Sequence, residues 1–333
     1  MTKKRGPTQD DVATIARVSP MTVSRVITGR GVVANGTRTR VERVIEELGY
    51  VPNRLAGSMA LARSNQVGVL VPSMTLNIFN QVAAGTTEEL EKGGYNPVMG
   101  VTEYDTGREE RLLESILSWR PAGVILTDVV HTRRTMNMLR NSEIPVIEIL
   151  QITPDPIDMC VGYDHGKTGV ALVDHLLQKG YRKFAYLGWW KTGYASSRRF
   201  FATRDRLERE GLPLIAPDLF ASPPKERDGR EGLAYLLSRH PDVDAVIFGN
   251  DLMAMGGLFH CMAVGIEVPG DLGIAGFSGA SRGQVLPKPL TTVAVPSLEI
   301  GKRAARTVLN ALAGQVGEKI VDLGFELIPG ETT

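Results

Sequence analysis

Cysteine is nearly absent: the chain holds only Cys160 and Cys261, far apart and outside any paired motif. A disulfide framework and a cysteine-rich metal site are thereby excluded, and two free thiols fit a reducing cytosol. Long apolar runs are also missing. None approaches the roughly 18 residues that a membrane span needs. The first residues, Met1-Thr2-Lys3-Lys4-Arg5-Gly6-Pro7, carry charge with no apolar stretch behind it, so they do not read as a secretory signal and a cytoplasmic location is expected. The five histidines (His131, His165, His175, His240, His260) show no metal-ligand spacing. No metal and no cofactor are expected.

Nor is there much net charge, +1 over 333 residues, but the balance is uneven. Residues 1–64 hold 11 Lys and Arg against 5 Asp and Glu, leaving 27 against 32 for the rest. A basic head on an acidic body implies that the head meets a polyanion and the body does not. The length exceeds the usual single domain, so two or three compact units are expected.

The head carries the densest pattern. Val12, Ala13, Ile15 and Ala16 are read as one helical face. Ser19-Pro20 restarts a helix, because Ser caps well and Pro loses nothing at the first helical position. Val23, Val26 and Ile27 then turn inward, leaving Pro20, Met21, Thr22 and Arg25 outward. Two short helices joined by a tight turn form a helix-turn-helix, whose second helix enters the major groove. There Arg25 suits guanine, while Pro20 and Met21 suit apolar contact such as a thymine methyl. A third helix, with Val41, Val44, Ile45 and Leu48 on one face, ends at Gly49.

The order Asp11-Val12-Ala13, Val18-Ser19, Thr22-Val23-Ser24-Arg25-Val26, Thr37-Arg38, Arg40-Val41, Leu48-Gly49-Tyr50 and Pro52-Asn53 resembles the head of the LacI/GalR family. The resemblance implies phosphate contacts from Thr8, Thr37 and Asn53, and base reading by Pro20, Met21 and Arg25. Thr22, Asn35 and Arg38 complete the DNA-facing set. It also implies a hinge helix over about 53–62, from which Met59 wedges into the minor groove and kinks the duplex. Two positions depart from the family pattern. Arg17 stands where the turn usually has Gly, at a cost of about 1 kcal/mol if the left-handed conformation is kept. Ala34 replaces Ser at the start of the third helix, so a cap and a phosphate contact are either lost or taken over by Asn35.

Beyond the hinge, apolar runs at 67–71, 97–101, 124–127 and 146–150 alternate with helical stretches such as 81–92 and 108–119. A second series follows at 184–187, 245–248 and 272–277. Such alternation indicates parallel sheets with helices on both faces, and two series indicate two lobes with a ligand cleft at the strands' carboxyl ends. The fold expected is therefore an all-α helix-turn-helix head plus an α/β two-lobed domain, which the resemblance makes periplasmic-binding-protein-like. The expected boundaries are 1–52 for the head, 53–65 for hinge helix and linker, and 66–333 for the effector-binding and dimerisation domain. Within the last, the first lobe takes about 66–162 and 293–318, and the second 163–292 and 319–333, with 320–328 as its final strand.

Enzyme motifs fail on inspection. Gly166-Lys167-Thr168 ends like a phosphate-binding loop, but Val161 stands where that loop needs Gly. Gly276-Phe277-Ser278-Gly279-Ala280 misses a nucleophile elbow at Ala280. Cys160 and His165 lack a third group. No enzyme is expected; a sugar or sugar-acid binding or transport protein is the alternative to a regulator.

Alignment with the family places Phe79, Arg199, Asn250 and Ser278 in the cleft, with Glu148 and Asp164 nearby. The family's common Asp at the Ser278 position would repel an anion, so Ser favours one. Arg199 either clamps a ligand carboxylate or merely pairs with Asp164 to brace the lobe. Glu114-Ser115-Ile116-Leu117-Ser118-Trp119, Gly123-Val124-Ile125-Leu126-Thr127, His131-Thr132, Ala275-Gly276-Phe277 and Val321-Asp322-Leu323-Gly324-Phe325 further resemble the gluconate-operon repressors of the family. The resemblance thus implies a homodimer on palindromic operator DNA, released by gluconate or a related sugar acid.

Overall fold

The computed structural model describes residues 7–29, 31–50, 64–191, 193–217, 219–220, 225–315 and 317–333. The chain divides into two compact units, Met1–Ser64 and Asn65–Thr333. The expected hinge helix over 53–62, with Asn53 and Met59, lies outside the described residues.

In the first unit, α1 (Gln9–Ala16) starts on a capping box in which Thr8 Oγ1 accepts from the Asp11 amide and Asp11 accepts from the Thr8 amide. It ends at Arg17, which does hold the left-handed conformation at φ 54°. Helix α2 (Pro20–Thr28) is capped by Ser19 with Pro at its start, and Gln9 Nε2 ties the two helix beginnings together by donating to the Pro20 carbonyl at 2.7 Å. Helix α3 (Asn35–Leu48) closes the core of Val12, Ala13, Ala16, Val23, Val26, Val41, Val44 and Tyr50. Ile15 is not part of it: the side chain is 53% exposed, since the buried stripe of this short helix is narrower than the apolar set suggested.

The second unit contains two sheets. In the first, strands run in the order β11-β5-β4-β3-β1-β2, all parallel: β1 (Gln66–Val71), β2 (Asn96–Val101), β3 (Gly123–Leu126), β4 (Val146–Ile149), β5 (Met159–Gly162) and β11 (Ile320–Asp322). The second follows the order β12-β10-β9-β8-β6-β7: β6 (Phe184–Leu187), β7 (Leu214–Ile215), β8 (Ala245–Phe248), β9 (Gly273–Ser278), β10 (Thr291–Ala294) and β12 (Glu326–Ile328). Here only β12 is antiparallel, against β10. Parallel strands buried on both faces require helical crossovers. In the first lobe these are α4 (Asn77–Lys92), α5 (Thr106–Ser118) and α6 (Arg133–Arg140); in the second they are α7 (His165–Gln178), α8 (Tyr194–Glu208), α9 (Glu226–Arg239), α10 (Asp251–Val264) and the short α11 (Ser281–Gln284). Helix α12 (Ser297–Leu312) returns to the first lobe, where Ile300, Ala304, Ala305 and Val308 join the core of Val67, Val69, Ile147 and Ile149.

Two lobe boundaries differ from expectation. The chain leaves the second lobe after β10, at Ala294, because Thr291–Ala294 pairs along β9. The stretch 320–328 is two strands, not one. Ile320–Asp322 stays in the first lobe beside β5, where the Cys160 amide donates to the Lys319 carbonyl at 2.8 Å. Gly324 at φ 67° then turns the chain, and only Glu326–Ile328 reaches the second lobe. Among the described residues no helix is long and apolar enough to cross a membrane.

Helices α4 and α12 touch backbone to backbone. A Cβ on Gly85 would strike the Leu298 carbonyl, and one on Gly301 would strike that of Val82. Replacing Gly301 by Ala is therefore expected to destabilise the second unit by about 1–3 kcal/mol, visible as a lower midpoint in thermal unfolding. An unchanged midpoint would mean that the helix pair separates without cost.

Candidate functional site

The described part of the head concentrates outward-facing groups on α2 and the start of α3. Because Val23 and Val26 are buried, Pro20 and Arg25 are exposed and Met21 is 64% exposed. Thr22 is half-buried, its hydroxyl 2.9 Å from that of Ser19. Helix α3 has no side-chain cap, and Asn35, exposed at its first position, does not replace the missing Ser. Its first amides are thus left to solvent or to an anion, with Thr37 and Arg38 half-buried in the same turn. Thr8 is half-buried and engaged in its capping box. Arg40 has a structural use: Nε donates to the Ala16 carbonyl at 2.9 Å, closing the end of α1.

The second unit carries a cavity between the lobes, at the carboxyl ends of the parallel strands. The first lobe contributes Phe79 from α4, Tyr104 after β2, Asp128 after β3, and Leu150 and Gln151 after β4. The second contributes His165, Trp189, Arg199, Asn250, Phe277 and Ser278. Phe79 meets Tyr104 edge-on at 6.4 Å, and Tyr104 meets Trp189 across the cleft at 5.4 Å and 79°. Such apolar walls suit the carbon face of a sugar chain.

Arg199 is the cation of the cavity. One Nη donates to His165 Nδ1 at 2.9 Å and the other to the Gly249 carbonyl at 3.3 Å, while the guanidinium lies 5.2 Å from the Phe277 ring. Its buried Nε makes no hydrogen bond of regular geometry, although the buried Tyr186 hydroxyl engages the guanidinium from inside the second lobe. Among the described residues the guanidinium forms no ion pair. The bracing pair with Asp164 is not formed. Instead Asp164 caps α7, accepting from the Gly166 and Lys167 amides at 2.8 and 3.2 Å. His165 Nε2 faces the Leu150 carbonyl at 3.1 Å, so this nitrogen carries the proton and Nδ1 accepts from Arg199. Burial, reinforced by the neighbouring Arg199 charge, holds the imidazole well below its usual pKa and keeps it neutral.

Phe79, Arg199, Asn250 and Ser278 all line the cavity. Asn250 also caps α10 by accepting from the Met253 amide at 2.9 Å. Ser278 sits at φ 110°, a backbone region that favours glycine. Beside it, Asp251 accepts from the Ala280 amide and the Thr292 hydroxyl at 2.6 and 2.7 Å; burial outweighs these bonds and lifts its carboxyl to about 6.

Glu148 and Asp164 do not line the cavity. Glu148 points out of the other face of β4 from Ile147 and Ile149, is 2% exposed, and accepts from the Ile157 amide at 2.6 Å. There it flanks His131, whose Nδ1 is 2.7 Å from Glu109 and whose Nε2 is 3.5 Å from Glu148. Burial opposes a charge on this ring, but the two carboxylates prevail and raise its pKa to about 9. Sequence reasoning missed Tyr104, Asp128, Gln151, His165 and Trp189. The available signal was position, since Asp128, Gln151 and Trp189 each follow the end of a parallel strand.

Comparison with known proteins adds the following. A family model described as bacterial regulatory proteins, lacI family, matches residues 8–53, and a periplasmic binding protein-like domain matches 173–333. The HTH-type transcriptional regulator GntR of Escherichia coli K12 is 32% identical over 98% of this chain and 99% of its own length. The regulator IdnR of the same organism is 33% identical over 97% of each chain. A solved LacI-family transcriptional regulator from Silicibacter pomeroyi superposes with a TM-score of 0.93 at 36% identity, covering 98% of this chain and 99% of that one.

The His131 cluster yields a pH prediction. Its folded pKa, raised from 6.5 to about 9, contributes stability that is complete below 6.5 and is lost as pH rises through about 9. Thermal midpoints measured from about pH 7 to pH 10 should fall more steeply for the wild type than for His131→Gln. Parallel curves would show that the ring is neutral at pH 7.

Proposed function

This chain belongs to the LacI family of bacterial regulatory proteins, and on that premise we propose that it is a repressor whose operator affinity is lowered by gluconate or a related sugar acid. As a DNA-binding transcriptional regulator with an effector-binding domain, it has two jobs to couple. The observation that carries the effector reading is Arg199, a cavity guanidinium whose Nε makes no hydrogen bond of regular geometry and which forms no ion pair among the described residues. A ligand carboxylate completes that group through charge-assisted hydrogen bonds, each contributing about 1.5–3 kcal/mol. Ser278, where the family commonly has Asp, leaves the anion unopposed on that side.

On the DNA side, Pro20, Met21, Thr22 and Arg25 face the bases, while Thr8, Asn35, Thr37, Arg38 and Asn53 serve the phosphates and Met59 is the wedge. One small head buries too little surface for specific affinity, so two copies read a palindrome. The exposed Phe259 and Met262 on α10 offer apolar surface for the second copy. A ligand that prefers one lobe arrangement then weakens DNA binding by the same factor that DNA weakens ligand binding.

Fluorescence anisotropy with the DNA upstream of neighbouring genes tests both halves. Tight, salt-sensitive binding that gluconate weakens is expected, and Arg199→Gln should abolish the gluconate response while sparing DNA affinity. Binding that no sugar acid alters would overturn the effector reading. Arg25→Ala should cost about 1–3 kcal/mol and relax one base position; an unaltered sequence preference would reduce Arg25 to a phosphate contact.

A further inference from the structure

The cavity is polarised. On the first-lobe side, Asp128 Oδ1 accepts from the amides of Val129 and Val130 at 2.8 and 3.3 Å and from Gln151 Nε2 at 3.2 Å. All three bonds fall on one oxygen, and Oδ2 has no hydrogen-bond partner among the described residues. Gln151, only 3% exposed, turns its Nε2 to two acceptors, Asp128 Oδ1 and the Thr127 carbonyl. Those acceptors fix which end of the amide is which, because a flipped group would set oxygen against oxygen. Gln151 Oε1 is therefore the free end, and it is buried without a partner. Leu150 at φ 68° turns the chain there, so that its carbonyl meets His165 while the next side chain enters the cavity.

The first lobe thus offers two unfilled acceptors, one of them anionic, and the second lobe an unfilled cationic donor at Arg199 Nε. Building on the sugar-acid reading, we propose that Asp128 and Gln151 restrict the effector to acids with a single carboxylate, bound with that carboxylate at Arg199 and the distal hydroxyls donating to Asp128 Oδ2 and Gln151 Oε1. A hydroxyl satisfies either acceptor. A second carboxylate in that place has no proton to give and sets its charge against Asp128. A neutral sugar leaves the Arg199 N–H unfilled. The site selects aldonates over aldarates by this opposition of polarity.

Gluconate and glucarate differ only in the oxidation of the terminal carbon, so they isolate the effect. In calorimetric titration of the full-length protein, gluconate should bind about tenfold or more tighter than glucarate, the loss expected for one hydrogen bond to a charged group. Asp128→Asn keeps an Oδ1 for the loop amides and supplies an N–H to a second carboxylate; the preference should shrink or invert. Gln151→Leu, a second and independent variant, should weaken gluconate several-fold with no loss for glucarate. Equal binding of both acids by the wild type, or a ratio that neither variant moves, would overturn this assignment while the sugar-acid reading stands. Failure of both acids to bind the wild type would remove this assignment and the sugar-acid reading together.

Discussion

His165 can serve Arg199 and the Leu150 carbonyl together only while its ring is neutral, because Nδ1 must accept and Nε2 must donate. The ring is fully inside the protein and beside a guanidinium, and both conditions oppose a second proton. The result is a relay that starts on α8, passes through the first residue of α7 and ends on the loop after β4 in the other lobe. It fixes the direction in which Arg199 presents its remaining N–H, and it places a second-lobe side chain against first-lobe backbone. Much of the cavity's geometry hangs on that single tautomer. A charged ring at the same place would lose its acceptor and repel the group it orients.

Around this relay the charges are arranged with little waste. Asp164 and Asp251, the second of which feels the Arg199 charge, are both committed elsewhere: one caps α7, the other ties the ends of β9 and β10. Asp251 is moreover buried enough that its carboxyl is lifted toward neutrality. Neither neutralises the guanidinium. His131, by contrast, sits between two buried carboxylates on the far side of β4, where its own charge is the compensation. The two histidines thus hold opposite protonation states for reasons visible in their neighbours.

The head was legible in the sequence because its signals are local: a cap, a proline, a spacing of apolar residues within one or two turns. Thr8, Ser19 and Gly49 act as their residue types suggest. Ile15 was misplaced because eight helical residues give too few turns to fix a face. In the second unit the buried strands read as apolar runs, yet 320–328 concealed a turn at Gly324 that sends its halves to different sheets. The cavity was legible in part. Phe79, Arg199, Asn250 and Ser278 were reached by alignment, whereas Tyr104, Asp128, Gln151 and Trp189 are isolated residues that only the convergence of strand ends brings together. Glu148 shows the opposite case: alignment puts this strand residue near the cleft, but the two-residue alternation turns it away from the Ile147 and Ile149 side.

The split at Gly324 also bears on synthesis. Both sheets receive a strand from 320–328, so neither lobe is complete until that stretch has left the ribosome. The head, whose core closes by Tyr50, has no such wait. During translation a folded DNA reader therefore precedes its control domain by more than two hundred residues. A nascent or prematurely terminated chain carries the reader without a finished cleft.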